Sequence, residues 1–337
     1  MSALPELVAA LRDSRGFAHK RDISAVVNCF DDLLVQGVGQ MDQAVPLGDD
    51  CAALPDGQGG YQLLAIEGLV EDFITRMPWF AGYSSVMVNI SDIYAMGGRP
   101  TAVVNALWGQ GAGAETQKML AGMAAASQRY GVPIVGGHSN LRSERPQLAV
   151  SILGHARKLL SSFRARPGDQ LLMAVDLRGQ WQEPFPYWNA STEAPAERLR
   201  ADLELLPEIA EAGLCEAAKD ISMAGTLGTA LMLLECSGVG AIVDLDAIPR
   251  PAGVPLLRWL TAFPSYGFIL SVRPEHVAAV QQRFEARGLA CAAVGEVKAA
   301  RQLIVQQGPE WALLWNLAEQ PFIQGTPARG LELGSLA

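Results

Sequence analysis

Apolar and polar positions along this chain change period repeatedly, and each change marks an element. Residues 2–37 carry apolar positions at helical spacing, interrupted by Glu6, Arg12, Asp13 and Arg15, and predict two amphipathic helices with Asp22 or Ser24 capping the second. Leu54, the turn Pro55-Asp56-Gly57 and the alternating run 61–66 predict a hairpin. With its turn near Gln58, Asp49 and Asp50 face Ile66 and Glu67. Residues 82–97 read as a helix stopped by Gly97-Gly98 and Pro100. A strand over 101–108, a helix over 114–130, a strand over 132–135 running into the turn Gly136-Gly137, and an alternating strand over 147–154 complete the first half.

The second half opens at the turn Arg166-Pro167-Gly168-Asp169 and the strand 170–175. A loop over 177–195 follows, containing Trp181, Phe185, Tyr187 and Trp188, and then a helix over 196–213. Beyond Lys219-Asp220-Ile221-Ser222 comes a helix over 224–236. Strands near 240–244, 267–272 and 290–297 alternate with helices near 252–262 and 275–287. The last thirty residues look irregular, and the final dozen is expected to be disordered. Both halves mix strands and helices, so the fold class is α/β (α+β). The expected division is a helical segment 1–40, an N-terminal domain 41–160, a C-terminal domain 165–310 and an irregular tail 311–337.

Composition narrows the function classes. With 337 residues, 50% of them hydrophobic, 34 glycines and 20 prolines, the chain can bury a large core between many tight turns. A net charge of −9 argues against a nucleic-acid partner, whose phosphates need a basic surface. No apolar run approaches the roughly 20 residues that span a bilayer, and the charged start is not a signal peptide. A cytoplasmic enzyme is the expectation. Cys29, Cys51, Cys215, Cys236 and Cys291 are scattered without a CxxC pair, which argues against a disulfide framework or a zinc site. Cys51 adjoins two carboxylates that would raise its pKa and blunt it as a nucleophile.

Four segments carry candidate chemistry: Gly48-Asp49-Asp50-Cys51-Ala52, Asn89-Ile90-Ser91-Asp92 leading to Met96-Gly97-Gly98-Arg99-Pro100, Gly136-Gly137-His138-Ser139, and Lys219-Asp220-Ile221-Ser222. Hard divalent cations take carboxylate oxygens, and Mg²⁺ bridges one or two of them to substrate phosphates. Backbone N–H groups at glycine turns meet phosphate oxygens directly. Asn89 and Asp92 sit three apart and share a helix face. Each segment alone has a plainer reading: a solvated turn, an exposed helix face, a tight glycine turn, a cap for the next helix. His138 reads either as a ring packed beside the glycines or as a phosphate or substrate contact, and His155 as structural.

The order of these segments resembles the superfamily of aminoimidazole ribonucleotide (AIR) synthase, thiamine-monophosphate kinase, selenophosphate synthetase and the hydrogenase maturation factor. Within it, the resemblance is to the AIR synthase-related group. The kinase pattern Gly-Asp-Asp-Ala-Ala, Thr-Asp, Asn-x-Ser-Asp-x-x-Ala-Met-Gly-x-x-Pro, Gly-Gly-Asp-Thr and Asp-Ile-Ser-Asp-Gly is matched here from Gly48 to Gly225. Glu67, His138 and Met223 depart from it; Met223 removes one carboxylate. The resemblance implies a two-domain fold whose N-terminal strands pair into a barrel across a homodimer, beside a mixed α/β C-terminal domain. It implies ATP and Mg²⁺ as cofactors and a small-molecule substrate. Asp49, Asp50, Glu67, Asp92 and Asp220 would hold metal, with Asp50, Asp92 and Asp220 catalytic. Gly48, Asn89, Gly136, Gly137, His138 and Ser139 would line the nucleotide, and the 177–195 loop would read the substrate. The implied activity is phosphoryl transfer that activates a substrate oxygen. Its alternatives are a small-molecule kinase or a non-catalytic nucleotide-binding subunit.

Overall fold

A computed structural model describes residues 3–27 and 46–324 of the protein. The chain opens with helices α1 (Ala3–Arg12) and α2 (Arg15–Val27). Asp22 and Ser24 therefore lie inside α2 rather than at its cap, and residues 28–37 of the expected second helix fall outside the described residues. The hairpin forms as β1 (Ala52–Pro55) and β2 (Tyr61–Gly68), with Pro55 opposite Tyr61. Next come α3 (Glu71–Arg76), α4 (Pro78–Ala95), β3 (Arg99–Gln110), α5 (Ala114–Tyr130), β4 (Ile134–Asn140) and β5 (Arg142–Ala156).

The five strands make an open sheet in the order β1-β2-β5-β3-β4, parallel only at β3–β4. One chain thus contributes an open sheet and not a closed barrel. Alternation along the strands turns Leu63, Ala65, Val103, Leu148, Val150 and Ile152 into the core. Above them lies α4, buried along nearly its whole length. It crosses α5 with the two backbones in contact: a Cβ on Gly82 would stand 1.9 Å from the Met119 carbonyl oxygen, and one on Gly122 equally close to that of Trp79. Only glycine permits that approach. Gly97, at φ +73°, ends α4 with its N–H on the Tyr94 carbonyl, as the sequence predicts.

The second sheet gathers β6 (Gln170–Val175), β9 (Ala217–Asp220), β10 (Gly240–Asp244), β11 (Gly267–Val272), β12 (Ala290–Lys298), β13 (Gln302–Gln307) and β14 (Glu310–Asn316), in the order β14-β13-β10-β12-β6-β11-β9. Between β6 and β9 run a short ribbon, β7 (Gln180–Trp181) with β8 (Trp188–Asn189), and helices α6 (Ala196–Leu203) and α7 (Leu205–Glu211). The helix expected over 196–213 is two helices, because Pro207 has no N–H to continue the first and sits instead in the opening turn of the second. Helices α8 (Gly225–Cys236), α9 (Leu256–Leu260) and α10 (Val277–Glu285) complete the domain. The tail expected to be irregular from 311 is, over Glu310–Asn316, strand β14, held by pairing with β13.

This sheet is apolar on both faces. Leu172, Ala174, Leu270 and Val272 join the core of the first domain, whereas Leu171, Met173, Val175 and Ile269 pack under α1, α2 and α8. The expected N-terminal helical segment therefore covers the far side of the second sheet, with Arg12 bonded to the carbonyls of Leu313 and Leu314. Strand β9 is the edge beside α4, and that contact builds the site.

Candidate functional site

Asp50, Asp92 and Asp220 each offer a carboxylate oxygen, and these oxygens lie within 4.8 Å of one another. Three unrelated elements bring them there. Asp50 ends the turn before β1; Asp92 lies near the C-terminal end of α4; Asp220 is the last residue of β9. The turn needs glycine at position 48, where φ is +124° and an added Cβ would stand 2.9 Å from the Cys236 sulfur. Gly48 thus shapes the turn, and its carbonyl faces Lys219.

Adjacent acids in this turn do different things. The Asp49 carboxylate accepts hydrogen bonds from the hydroxyls of Ser161 and Ser162, both 2.7 Å, and from the Ser162 N–H at 3.1 Å. It ties the turn to the segment joining the two domains and stands outside the converging set, unlike its expected ligand role. The Asp50 carboxylate accepts from Lys219 Nζ at 2.5 Å through one oxygen and from the Asp220 N–H at 3.3 Å through the other. Alternation along β9 explains how neighbouring residues reach it from both sides.

Burial decides the electrostatics. Asp92 is 5% exposed, and its Oδ2 has no hydrogen-bond partner among the described residues. Burial pushes its carboxyl well above the usual range, and the charges of Asp220, Glu67 and Asp50 push it further. Asp220 is raised to about 8, first by burial and then by Asp50, against the pull of Lys219 and Lys20. Burial alone would lower Lys219, but Asp50 and Asp49 beside it more than offset that and keep the ammonium charged. Glu67 is exposed and outside the 4.8 Å set, yet both Asp92 and Asp220 feel its charge. Cys51 is buried, and desolvation with Asp92, Asp50 and Asp49 raises its thiol well above the ordinary value, as its neighbours predict.

Buried oxygens without partners gather on the same two segments: Asn89 Oδ1, Ser91 Oγ, Asp92 Oδ2 and Ser222 Oγ. Native proteins rarely leave such groups orphaned unless a ligand, ion or water completes them. Three converging carboxylates with an unsatisfied buried oxygen fit a hard divalent cation. Asn89 itself is fully buried, its amide donating to the Ser85 carbonyl, so it supports the end of α4 and lines no open surface.

Gly136, Gly137, His138 and Ser139 do not form a turn. They lie within β4, exposed at the opposite edge of the first sheet, with His138 tilted against Trp108. Register relates them to the acids: Glu67 pairs with Val150, Val150 with Asn105, and Asn105 with Gly137. A ligand touching both ends of that row crosses three strand spacings, roughly 14 Å. His155 bonds Asp56 across the hairpin, a structural role.

The 177–195 loop is closed on itself. Trp181 and Trp188 pack edge-on against Trp259, while Phe185 and Tyr187 stack on each other and meet Phe73 of α3 edge-on. Phe185, Tyr187 and Trp188 are 5–7% exposed. The expected substrate-reading aromatics are therefore spent on joining the two domains. Sequence reasoning misses Ser161 and Ser162, whose partner lies 112 residues earlier. It quotes Lys219 only within its motif, although a lysine inside an apolar strand beside an aspartate is a signal for a buried ion pair.

Comparison with known proteins gives the family and the fold. Residues 48–156 match the family model "AIR synthase related protein, N-terminal domain" and residues 172–307 its C-terminal counterpart. An uncharacterized protein of Synechocystis sp. is 48% identical over 94% of this chain and 97% of its own length. One of Methanocaldococcus jannaschii is 34% identical over 96% and 99%. The selenide, water dikinase of Myxococcus xanthus is 30% identical over half of each chain. Among solved structures, T. maritima PurL complexed with ADP superimposes with a TM-score of 0.70 at 21% identity, over 83% of this chain and 48% of that one. AaThiL complexed with AMPPCP and TMP gives 0.64 at 19% identity, over 86% and 96%. These two likenesses establish the fold. No described helix is long and apolar enough to cross a membrane.

Proposed function

The chain belongs to the AIR synthase related family, and on that premise we propose that it is an ATP- and Mg²⁺-dependent enzyme transferring a phosphoryl group to an oxygen of a small molecule. The observation that carries this reading is the convergence of Asp50, Asp92 and Asp220 from two domains within 4.8 Å, with a buried Asp92 oxygen left unsatisfied. Asp50, Asp92 and Asp220 would hold the metal, with Glu67 beside them. Bound there, Mg²⁺ neutralises phosphate charge, which is most of what phosphoryl transfer asks of a protein beyond positioning. Burial and mutual repulsion raise the Asp92 and Asp220 carboxyls, so cation binding there would lower both and release protons. Asp49 holds the turn in register through Ser161 and Ser162, and the apolar walls of α4 and α8 exclude water. The nucleotide would reach from the acid cluster toward Gly136, Gly137, His138 and Ser139.

The outer face of the first sheet supports a homodimer. Leu64, Ile66, Val104, Val135 and Leu153 stand 42–69% exposed there. On a monomer such a contiguous apolar face marks an interaction site, and an open sheet presenting it is suited to a second copy.

Calorimetric titration with a non-hydrolysable ATP analogue, with and without Mg²⁺, tests the reading on wild type and Asp220→Asn. Binding that requires Mg²⁺ and is lost in the variant supports it; wild-type protein that binds under neither condition overturns it. Product analysis then separates the chemistries. ADP with a phosphorylated substrate identifies a kinase, and ADP with free phosphate and a new bond identifies a synthase. The reading as a non-catalytic nucleotide-binding subunit rests on Met223, which occupies the place of a carboxylate, and requires binding without substrate-stimulated turnover.

A further inference from the structure

Lys219 is one of the least accessible charged groups in the described chain, 3% exposed, and its position has a consequence for the metal content of the site. Its Nζ lies 2.5 Å from Asp50 Oδ1 and 3.4 Å from the Gly48 carbonyl oxygen. The strand alternation that sends Asp220 toward Asp92 sends Lys219 behind Asp50, toward Cys236 and the end of α8. Buried there, the ammonium meets the acid cluster through Asp50.

We propose that Lys219 is a built-in cation of the acid cluster, a positioning residue that takes the place of one divalent metal so that each chain binds a single ion. The proposal rests on the metal-binding reading above and deepens it. With a cation present and all four ionised, Asp50, Asp92, Asp220 and Glu67 would offer four negative charges, enough to attract two divalent cations. Lys219 takes one of those charges permanently. It also occupies Asp50 Oδ1, while the Asp220 N–H occupies Oδ2. Among the described residues, Asp92 Oδ2 is then the one carboxylate oxygen of the cluster that is buried without a partner, and a single ion would complete it. A role confined to holding the turn would explain the ion pair but would leave the number and affinity of bound ions untouched.

Titration of the full chain with Mn²⁺ alone, free ion being followed by electron paramagnetic resonance, distinguishes the two. Wild-type protein is expected to bind one Mn²⁺ per chain. Lys219→Met, checked for folding by circular dichroism, is expected to bind its first Mn²⁺ at least about tenfold more tightly, since a unit charge a few ångströms away acts strongly through an effective dielectric of about 20. Two ions of similar affinity on wild type overturn the proposal, and this count stands whether or not the variant folds. A folded Lys219→Met with unchanged Mn²⁺ affinity overturns it as well. In both cases the metal site survives and only the role of Lys219 fails. A wild-type chain that binds no Mn²⁺ instead overturns the metal reading and this proposal with it.

Discussion

Replacing Asp92 by asparagine should make the metal-free protein more stable while removing its response to Mg²⁺. The carboxylate is nearly fully buried, shares a 4.8 Å set with two other acids and leaves one oxygen without a partner. Two unit charges at that separation repel by about 3 kcal/mol through an effective dielectric of about 20. Lys219 relieves part of this, so a net gain of about 2 kcal/mol is expected where Asp92 is ionised. For a chain of 337 residues that is a rise of roughly 3 °C in Tm. The sign with pH follows from linkage. A carboxyl whose folded pKa is raised binds more protons folded than unfolded, so stability falls as pH climbs above the ordinary value of 3.8. Asp220 at about 8 acts in the same direction. The gain from Asp92→Asn should therefore be larger at pH 8 than at pH 5. Melting in EDTA at both pH values, then with added Mg²⁺, reads all of this. A variant that melts below wild type at pH 8 in EDTA would show that the buried acid is satisfied, and the electrostatic argument would fail.

Asp49→Asn should cost about 2–3 kcal/mol in urea unfolding, since a charged acceptor of three hydrogen bonds is lost, while Mn²⁺ affinity stays within a few-fold; a large loss of affinity would return Asp49 to the ligand set. Gly82→Ala should destabilise by about 3 kcal/mol, because its Cβ would meet the Met119 carbonyl at 1.9 Å and force α4 and α5 apart; an unchanged denaturation midpoint would contradict the backbone contact. Ile66→Glu, on a residue 69% exposed, should keep the protein folded and convert a dimer to monomer in sedimentation velocity; a variant that still sediments as a dimer would exclude this sheet face as the interface.

The order of the acidic and glycine-rich segments, and most strand positions, could be read from the sequence because both depend on local pattern. What each acid does could not. Asp49 and Asp50 are neighbours in one motif, yet one is consumed by Ser161 and Ser162 and the other faces Lys219. That division is set by residues more than 100 positions away, and no window on the motif contains it. Gly136 and Gly137 read as a turn because glycine usually breaks strands, but parallel pairing with β3 overrides that preference. Strand β14 is missed because Glu310-Trp311-Ala312-Leu313-Leu314-Trp315 lacks clean alternation; its pairing with β13 and the packing of α1 supply what the pattern omits.

Like charges buried together are retained only where something other than stability requires them, since burying a charge without a partner is costly. Here the cluster is not what holds the domains together. Phe73 packs against Phe185 and Tyr187 across the seam, the hydroxyls of Tyr83 and Tyr130 both meet Ser191, and Arg99 pairs with Glu204 and Glu211. Glu235 meanwhile accepts from three successive backbone N–H groups at Phe322, Ile323 and Gln324, fixing the end of the described chain on α8. With the seam held by these contacts, Asp92 Oδ2 can remain unsatisfied without the domains parting. On the proposed reading, a cation would meet ligands already placed. Binding then costs little reorganisation, and its free energy goes to neutralising the cluster and the phosphates it would face.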